Sequence, residues 1–413
     1  MILKCKKKQL ALYISLLGIF LISHNQNCAE NTQSAKSSYV ISDGSGFAAK
    51  AYYPKFSWDV APQYFMFGTG ARLLEPEEVE FIADRTNFIC IEKAHGFEPL
   101  GAAELGAKHE AAAFKKLKPD AKVLFYFNSA HAYPFTSYTK GFSAKQIDQH
   151  PEYKEFLLVD TETGELARRG DVFFFDVLNP EFREWWANAV AQGVEDSDCD
   201  GAFIDQMHGF AWMRPSKSEA VAEAMGEMMA SLKKKMGPNK ILLGNNTHQY
   251  IGRHVFPVVD ANMIEHYNGK VTLSKESLFQ DWEDMLRFAK AGKMTIFRIG
   301  VEQDSSSPQN NDEPKAIGGR SEEQLAALSQ DRLEYYLACF LIGAQPYSYF
   351  QYGWGWELSS GSLHHFALLQ KRLGPPKGAY VRESPNGWVF NREFEHASVW
   401  VDTEAGQAKI SWK

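Results

Sequence analysis

Short apolar runs separated by amphipathic stretches recur along most of the chain. Residues 64–68, 88–92, 122–128, 201–205, 241–246, 261–265, 294–298 and 347–351 are each too short for a helix and mostly apolar, and predict eight strands. Helical patterns lie between them. One opens at Pro76 with proline in its first turn, one covers 105–117, and one starts at Asn179-Pro180 and carries Trp185 and Trp186. Others cover 216–236, 277–291 and 322–343, with a last one over 363–373. Strands alternating with helices pair in parallel, and eight is the number that closes a (β/α) barrel. A doubly wound open sheet is the alternative, but no GxGxxG turn is present. The expected class is α/β, a (β/α)8 TIM barrel over 60–377.

Three segments stand outside this alternation. Residues 129–176 form an insertion, aromatic at first and ending in a hairpin with its turn at Thr163-Gly164. From Gly378 apolar and polar residues alternate in short runs between turn residues, which predicts a small β extension over 378–413. At the other end, Lys4, Lys6, Lys7 and Lys8 precede an apolar stretch over 10–22 that is short for a membrane span. This reads as a signal peptide over 1–29, then a lead-in over 30–59, for a secreted or periplasmic protein. Cys28 admits a lipid-anchored alternative, although Gln26-Asn27 are bulky for that processing. No later segment is apolar enough to span a bilayer.

Composition narrows the partners. A formal charge of -7 argues against nucleic acid. Of the 5 cysteines, Cys90, Cys199 and Cys339 lie in or beside apolar segments without metal spacing, and read as buried thiols with at most one bridge. An aromatic fraction of 14%, much of it beside Gly, Asn and His, suits a surface that stacks sugars. The first strand carries no histidine, His364-His365 point apart on their predicted helix, and neither a GxSxG elbow nor a GxxxxGK[ST] loop occurs. No metal and no cofactor is expected.

Barrel chemistry sits at the C-terminal strand ends, and these are polar from the second strand onward. They carry Glu92 and Lys93, Asn128, then Asp205, Gln206 and His208, then Asn245 and Asn246, Glu265 and His266, Arg298, and Gln351. Asp205 and Glu265 end next-but-one strands, so their carboxyl groups can face each other across the mouth. Two such groups, one protonated and one ionised, are what glycoside hydrolysis needs. The half-apolar setting of Glu265 suits a proton donor and leaves Asp205 as nucleophile. Plainer readings stand beside these: Asp205 as a helix cap, Glu265 paired with Arg298, and Glu92, the reserve carboxylate, paired with Lys93. His131, Tyr133, Trp212, Tyr267, Trp354 and Trp356 supply stacking subsites in the loops, or pack the rim. Arg214, Lys217, Arg253, His254 and Lys270 fall in the same loops and suit anionic substituents, or are solvated surface charge.

The run Asp176-Val-Leu-Asn-Pro-Glu-Phe-Arg-Glu-Trp-Trp186, followed by Asp200-Gly-Ala-Phe-Ile-Asp205, resembles exported (β/α) barrel glycoside hydrolases. In those an N-P-x-x-R-x-W helix precedes a D-G-x-x-x-D strand bearing the nucleophile. Leu373-Gly-Pro-Pro-Lys-Gly378 with Arg392-Glu-Phe394 is similar to the tail of such enzymes. Chain length and the carboxylates on strands four and six are most similar to the endo-1,3-fucanase family. That resemblance implies a retaining enzyme that cuts sulfated fucans, with Asp205 as nucleophile and Glu265 as acid/base. The expected partner is a polysaccharide, sulfated on this resemblance, acted on by a monomer. An exo-acting, α-galactosidase-like barrel and a surface glycan-binding barrel without catalysis remain as the other readings.

Overall fold

Eight parallel strands make one sheet in the computed structural model, which describes residues 47–249, 252–266, 273–301 and 320–413. They are β1 (Phe65–Phe67), β2 (Phe88–Ile91), β3 (Lys122–Asn128), β4 (Gly201–Asp205), β5 (Ile241–Asn245), β6 (Ala261–Glu265), β7 (Met294–Ile299) and β8 (Ser348–Tyr352), paired in chain order. The sheet closes on itself where Tyr64 N donates to Phe350 O at 3.0 Å and Phe350 N to Pro62 O at 2.7 Å. The alternative of an open sheet is thereby excluded. Six long helices follow strands in the expected places: α1 (Pro76–Ala83), α2 (Ala103–Leu117), α3 (Pro180–Asp196), α4 (Ser218–Met236), α5 (Lys275–Lys290) and α6 (Glu322–Gly343).

Side chains alternate across each strand, so one set fills the barrel and the other meets the helices. Tyr64, Met66, Cys90, Tyr126, Phe203, Leu243, Met263, Ile296 and Tyr349 belong to the interior cluster. Phe125, Phe127, Ile204 and Leu242 face outward toward α2, α3 and α4. The lead-in plugs the bottom: Tyr53 joins the interior cluster, and its hydroxyl donates to Asp260 O at 3.2 Å and Gly292 O at 3.1 Å.

Both sequence motifs have a mechanical reading. Asn179 caps α3, accepting from Glu181 N at 2.9 Å, with Pro180 in the first turn. Arg183 donates to the carbonyls of Val177 and Leu178, and fully buried Trp186 donates to Asn128 O at 3.0 Å, tying the helix to the end of β3. In the D-G pair, Asp200 accepts from Val123 N at 3.0 Å. A Cβ on Gly201 would lie 1.9 Å from Ile241 O, so only glycine lets β5 approach.

The insertion carries the expected turn, with Gly164 at φ +73° and a Val159–Leu166 bridge, and adds a hairpin of Arg168–Arg169 with Val172–Phe173. The tail is a four-stranded antiparallel sheet, β9 (Val381–Arg382), β10 (Val389–Glu393), β11 (Ala397–Asp402) and β12 (Gln407–Trp412). Arg392 fastens it to the barrel by donating to Leu341 O, Ile342 O and Ala344 O at the end of α6.

The helix expected over 363–373 is a correction. Only a 3-10 turn, Ala367–Gln370, forms there. Gly361 at φ +105° breaks the chain before it and Gly374 at φ +70°, followed by two prolines, after it. His364 and His365 therefore lie on irregular chain. Cys90, Cys199 and Cys339 are buried and unbridged. Among the described residues no helix is long and apolar enough to cross a membrane. The leader over 1–29 with Cys28, the lead-in up to residue 46, Tyr267 and Lys270 lie outside the described residues.

Candidate active site

The strand register sets the floor of the mouth. Asn128 stands beside Asp205 across β3 and β4, while Glu265, Arg298 and Gln351 form one row across β6, β7 and β8. Between these groups, the side chain of Asn245 at the end of β5 donates from Nδ2 to Asp205 Oδ1 at 2.9 Å and to Glu265 Oε2 at 2.6 Å. The two carboxylate oxygens thus lie no farther apart than those two bonds laid end to end. The carboxylates expected to meet over one gap do so.

Their surroundings differ. Asp205 accepts from Tyr126 Oη at 2.6 Å, from Gln206 N at 2.7 Å and from Asn245. Glu265 is pushed up to about 7, first by burial and then by the Asp205 charge, against opposing pulls from Asn245, Arg298 and His266. Its own N–H donates to Asn246 Oδ1 at 3.0 Å. The Glu265 carboxyl is therefore set to carry a proton near neutrality.

Gln206 and Asn246, each one residue beyond its strand, have left-handed φ of +61° and +54°. Such strain persists only where the surroundings over-determine it. Here it turns Gln206 N back onto Asp205, and Asn246 across to β6.

The wall beside β2 and β3 is cationic and aromatic. Lys93 pairs with Glu92, and its ammonium lies 5.7 Å from the Tyr126 ring and 5.6 Å from the Tyr133 ring. Burial opposes that charge, but Glu92, Tyr133 and Asp205 together raise Lys93 above its usual range. His131 stacks on Tyr133 at 5.3 Å and meets Phe210 edge-on at 5.0 Å. Burial, then the positive charge of Arg169 on the inserted hairpin, pulls His131 down to about 4, so it is neutral. His208 takes its proton on Nε2, toward Gln206 Oε1, because Nδ1 accepts from Phe210 N at 3.0 Å. Trp356 lies under the Arg298 guanidinium at 4.6 Å. Trp212 is 67% exposed on the 3-10 turn Ala211–Met213.

Several expected contacts go elsewhere. His266 turns away from the mouth and bonds Asp281 of α5 at 2.7 Å, because it follows inward-facing Glu265. Trp354 is 4% exposed in the outer core rather than at the rim. Asn246 staples β5 to β6. Gln351 donates to Met66 O at 3.2 Å, and Asn128 divides its amide, its Oδ1 accepting from Ala130 N and His131 N while its Nδ2 stays at the site beside Tyr126 and Asp205. Of the cations weighed for anionic substituents, Arg214 pairs with Asp176, and Arg253 and His254 both meet Glu219. The residue that strand-end reasoning missed is Tyr126, two positions before Asn128 and therefore on the same face.

Comparison with known proteins follows the same line. Residues 115–398 match the model of a family described as hypothetical glycosyl hydrolase family 15. No protein of curated function matches the chain. The chain is similar in structure to the glycoside hydrolase domain of PelA from Pseudomonas aeruginosa, with 13% identity over 58% of this chain and 85% of that one, and a TM-score of 0.41. It is also similar to an alpha-amylase from Geobacillus thermoleovorans (13% identity, 84% and 87% covered, TM-score 0.46). An alpha-galactosidase from Thermus thermophilus is likewise similar (14%, 86% and 68%, 0.45).

Proposed function

The chain belongs to hypothetical glycosyl hydrolase family 15, and from that premise we propose a retaining glycosidase with Asp205 as nucleophile and Glu265 as general acid/base. The observation that carries this reading is the single amide of Asn245 bonded to both carboxylates, at 2.9 and 2.6 Å. Retaining enzymes keep their carboxyl groups about 5–5.5 Å apart, whereas inverting ones leave about 6.5–9.5 Å for a water between them. A shared NH2 group supports the shorter separation. In the first half-reaction a carboxylate oxygen of Asp205 bonds the anomeric carbon as the glycosidic C–O bond breaks, and the Glu265 proton goes to the departing oxygen. In the second, Glu265 takes a proton from water, whose oxygen displaces Asp205.

The finer reading is endo-action on α-linked, sulfated fucan by an exported monomer, and it rests on the sequence resemblance. Lys93 and Arg298, whose charges bear on Asp205 and Glu265, support an anionic sugar at the mouth. The internal pairing of Arg214, Arg253 and His254 weakens that support. Exo-action is the second reading, because the insertion packs against the end of β3 through the His131–Phe174 bridge.

The test is turnover of a polysaccharide panel that includes sulfated fucan. Asp205→Asn and Glu265→Gln should each lower kcat by roughly 10²–10⁴-fold or more while the fold persists. Retention of anomeric configuration in the first product, read by NMR, supports double displacement. Oligosaccharide ladders mean endo-action, monosaccharide means exo-action, and binding without products means the non-catalytic reading. Near-full activity in both variants sinks the assignment.

A further inference from the structure

The two oxygens of Asp205 are held unequally, and the difference falls on a residue inside a strand. Oδ1 accepts Gln206 N–H at 2.7 Å and the Asn245 amide at 2.9 Å, which occupies both of its lone pairs. Oδ2 accepts the Tyr126 hydroxyl at 2.6 Å. The second donor toward it, Asn128 Nδ2, stands off at 3.4 Å and lies nearer the Tyr126 oxygen, at 3.0 Å. The second lone pair of Oδ2 therefore carries only this long, weak bond and is the most loosely held of the four.

Tyr126 is built to remain a donor. Its ring is buried and stacks on Phe203 with centroids 5.7 Å apart. Asn128 already donates to its oxygen, so the phenolic proton is directed at Asp205. The ammonium of Lys93 beside the ring polarises the hydroxyl in the same sense. Burial, reinforced by the Asp205 charge, pushes the phenol well above its usual range and keeps it protonated.

We propose that Tyr126 is the positioning residue of the nucleophile: it ties one lone pair of Asp205 Oδ2, turns the other toward the sugar, and receives that oxygen when it departs. The inference rests on Asp205 being the nucleophile. In the first half-reaction the Oδ2–C1 bond forms, the glycosidic C1–O bond breaks, and the Glu265 proton goes to the leaving oxygen. In the second, the water oxygen bonds C1, the C1–Oδ2 electron pair returns to Oδ2, and a water proton goes to Glu265. A donor on Oδ2 makes that oxygen a weaker nucleophile but a better leaving group. It therefore assists the second step more than the first.

The experiment compares the full chain with Tyr126→Phe, which keeps the ring, on whichever polymer of the panel it hydrolyses. Removing the hydroxyl should lower kcat by about 10- to 100-fold, the worth of one charge-assisted hydrogen bond. KM should fall with it, and intact-protein mass after acid quench should reveal accumulated glycosyl-enzyme. Placing 3-fluorotyrosine at position 126, which keeps the hydroxyl, should restore kcat and abolish the adduct. That replacement also serves if the phenylalanine variant does not fold. A fall in kcat with KM unchanged and no adduct, or no fall at all, overturns the inference. Activity surviving in Asp205→Asn overturns the parent reading as well, so the two failures are told apart.

Discussion

Trp354 and Trp356, one glycine apart, belong to opposite sides of the barrel wall. Trp354 is buried in the outer core with Phe350 and Phe366, while Trp356 packs against the interior cluster beneath the Arg298 guanidinium. Only the second borders the mouth.

Trp354→Ala should therefore lower stability by about 3–5 kcal/mol, as for other large core truncations, and leave KM unchanged. Trp356→Ala should raise KM about tenfold, the loss of one ring contact and of the hold on Arg298, with a smaller fall in Tm. Thermal melts and Michaelis kinetics on the two variants check the split.

Asn245 is predicted to matter to both half-reactions. Asn245→Ala removes a charge-assisted bond from each carboxylate and should cost about 10- to 100-fold in kcat. Its bond pulls Glu265 down, so its loss should move the basic limb of kcat/KM to higher pH. A pH–rate profile that keeps its basic limb contradicts this account.

The raised Glu265 carboxyl makes two pH predictions. As general acid it must be protonated, so kcat/KM should fall as pH rises through about 7. For stability, the folded value near 7 exceeds the ordinary 4.5, so the folded state binds the proton more tightly. The stabilisation is complete below about 4.5 and lost as pH rises to about 7. Glu265→Gln, which cannot ionise, should gain Tm over wild type across that window and hold a constant advantage above it.

His266 and Asp281 should behave as a structural pair. Both side chains are 6% exposed and their bond is 2.7 Å. Asp281→Ala should destabilise by about 3–5 kcal/mol, the usual result of leaving one partner of a buried pair alone. KM should not change, whereas a rise in KM with full stability would return His266 to the mouth.

Much of the site was legible because burial inside a barrel permits few patterns. A short apolar run that ends in a carboxylate, as in Ala202-Phe-Ile-Asp205, marks both a strand and the level of the mouth. Two errors fall on adjacent residues: His266 beside Glu265 and Asn246 beside Asn245. Neighbours on extended chain face opposite sides, and the point where alternation stops depends on register with the next strand. Tyr126 was hidden for a related reason. It reads as one more aromatic in an apolar run, and only its facing partner makes its hydroxyl part of the site.

By itself the sequence determined the alternation of strand and helix, the parallel closed sheet that follows from it, and the two carboxylates at its upper edge. Those features depend on local period and on burying apolar faces, which the residue order specifies directly. Tertiary structure alone decided that one amide joins Asp205 to Glu265, that the Tyr126 hydroxyl donates to Asp205, and that His266 faces a helix. Each is a contact between side chains on neighbouring segments, and strand register, set by packing across the whole barrel, selects it.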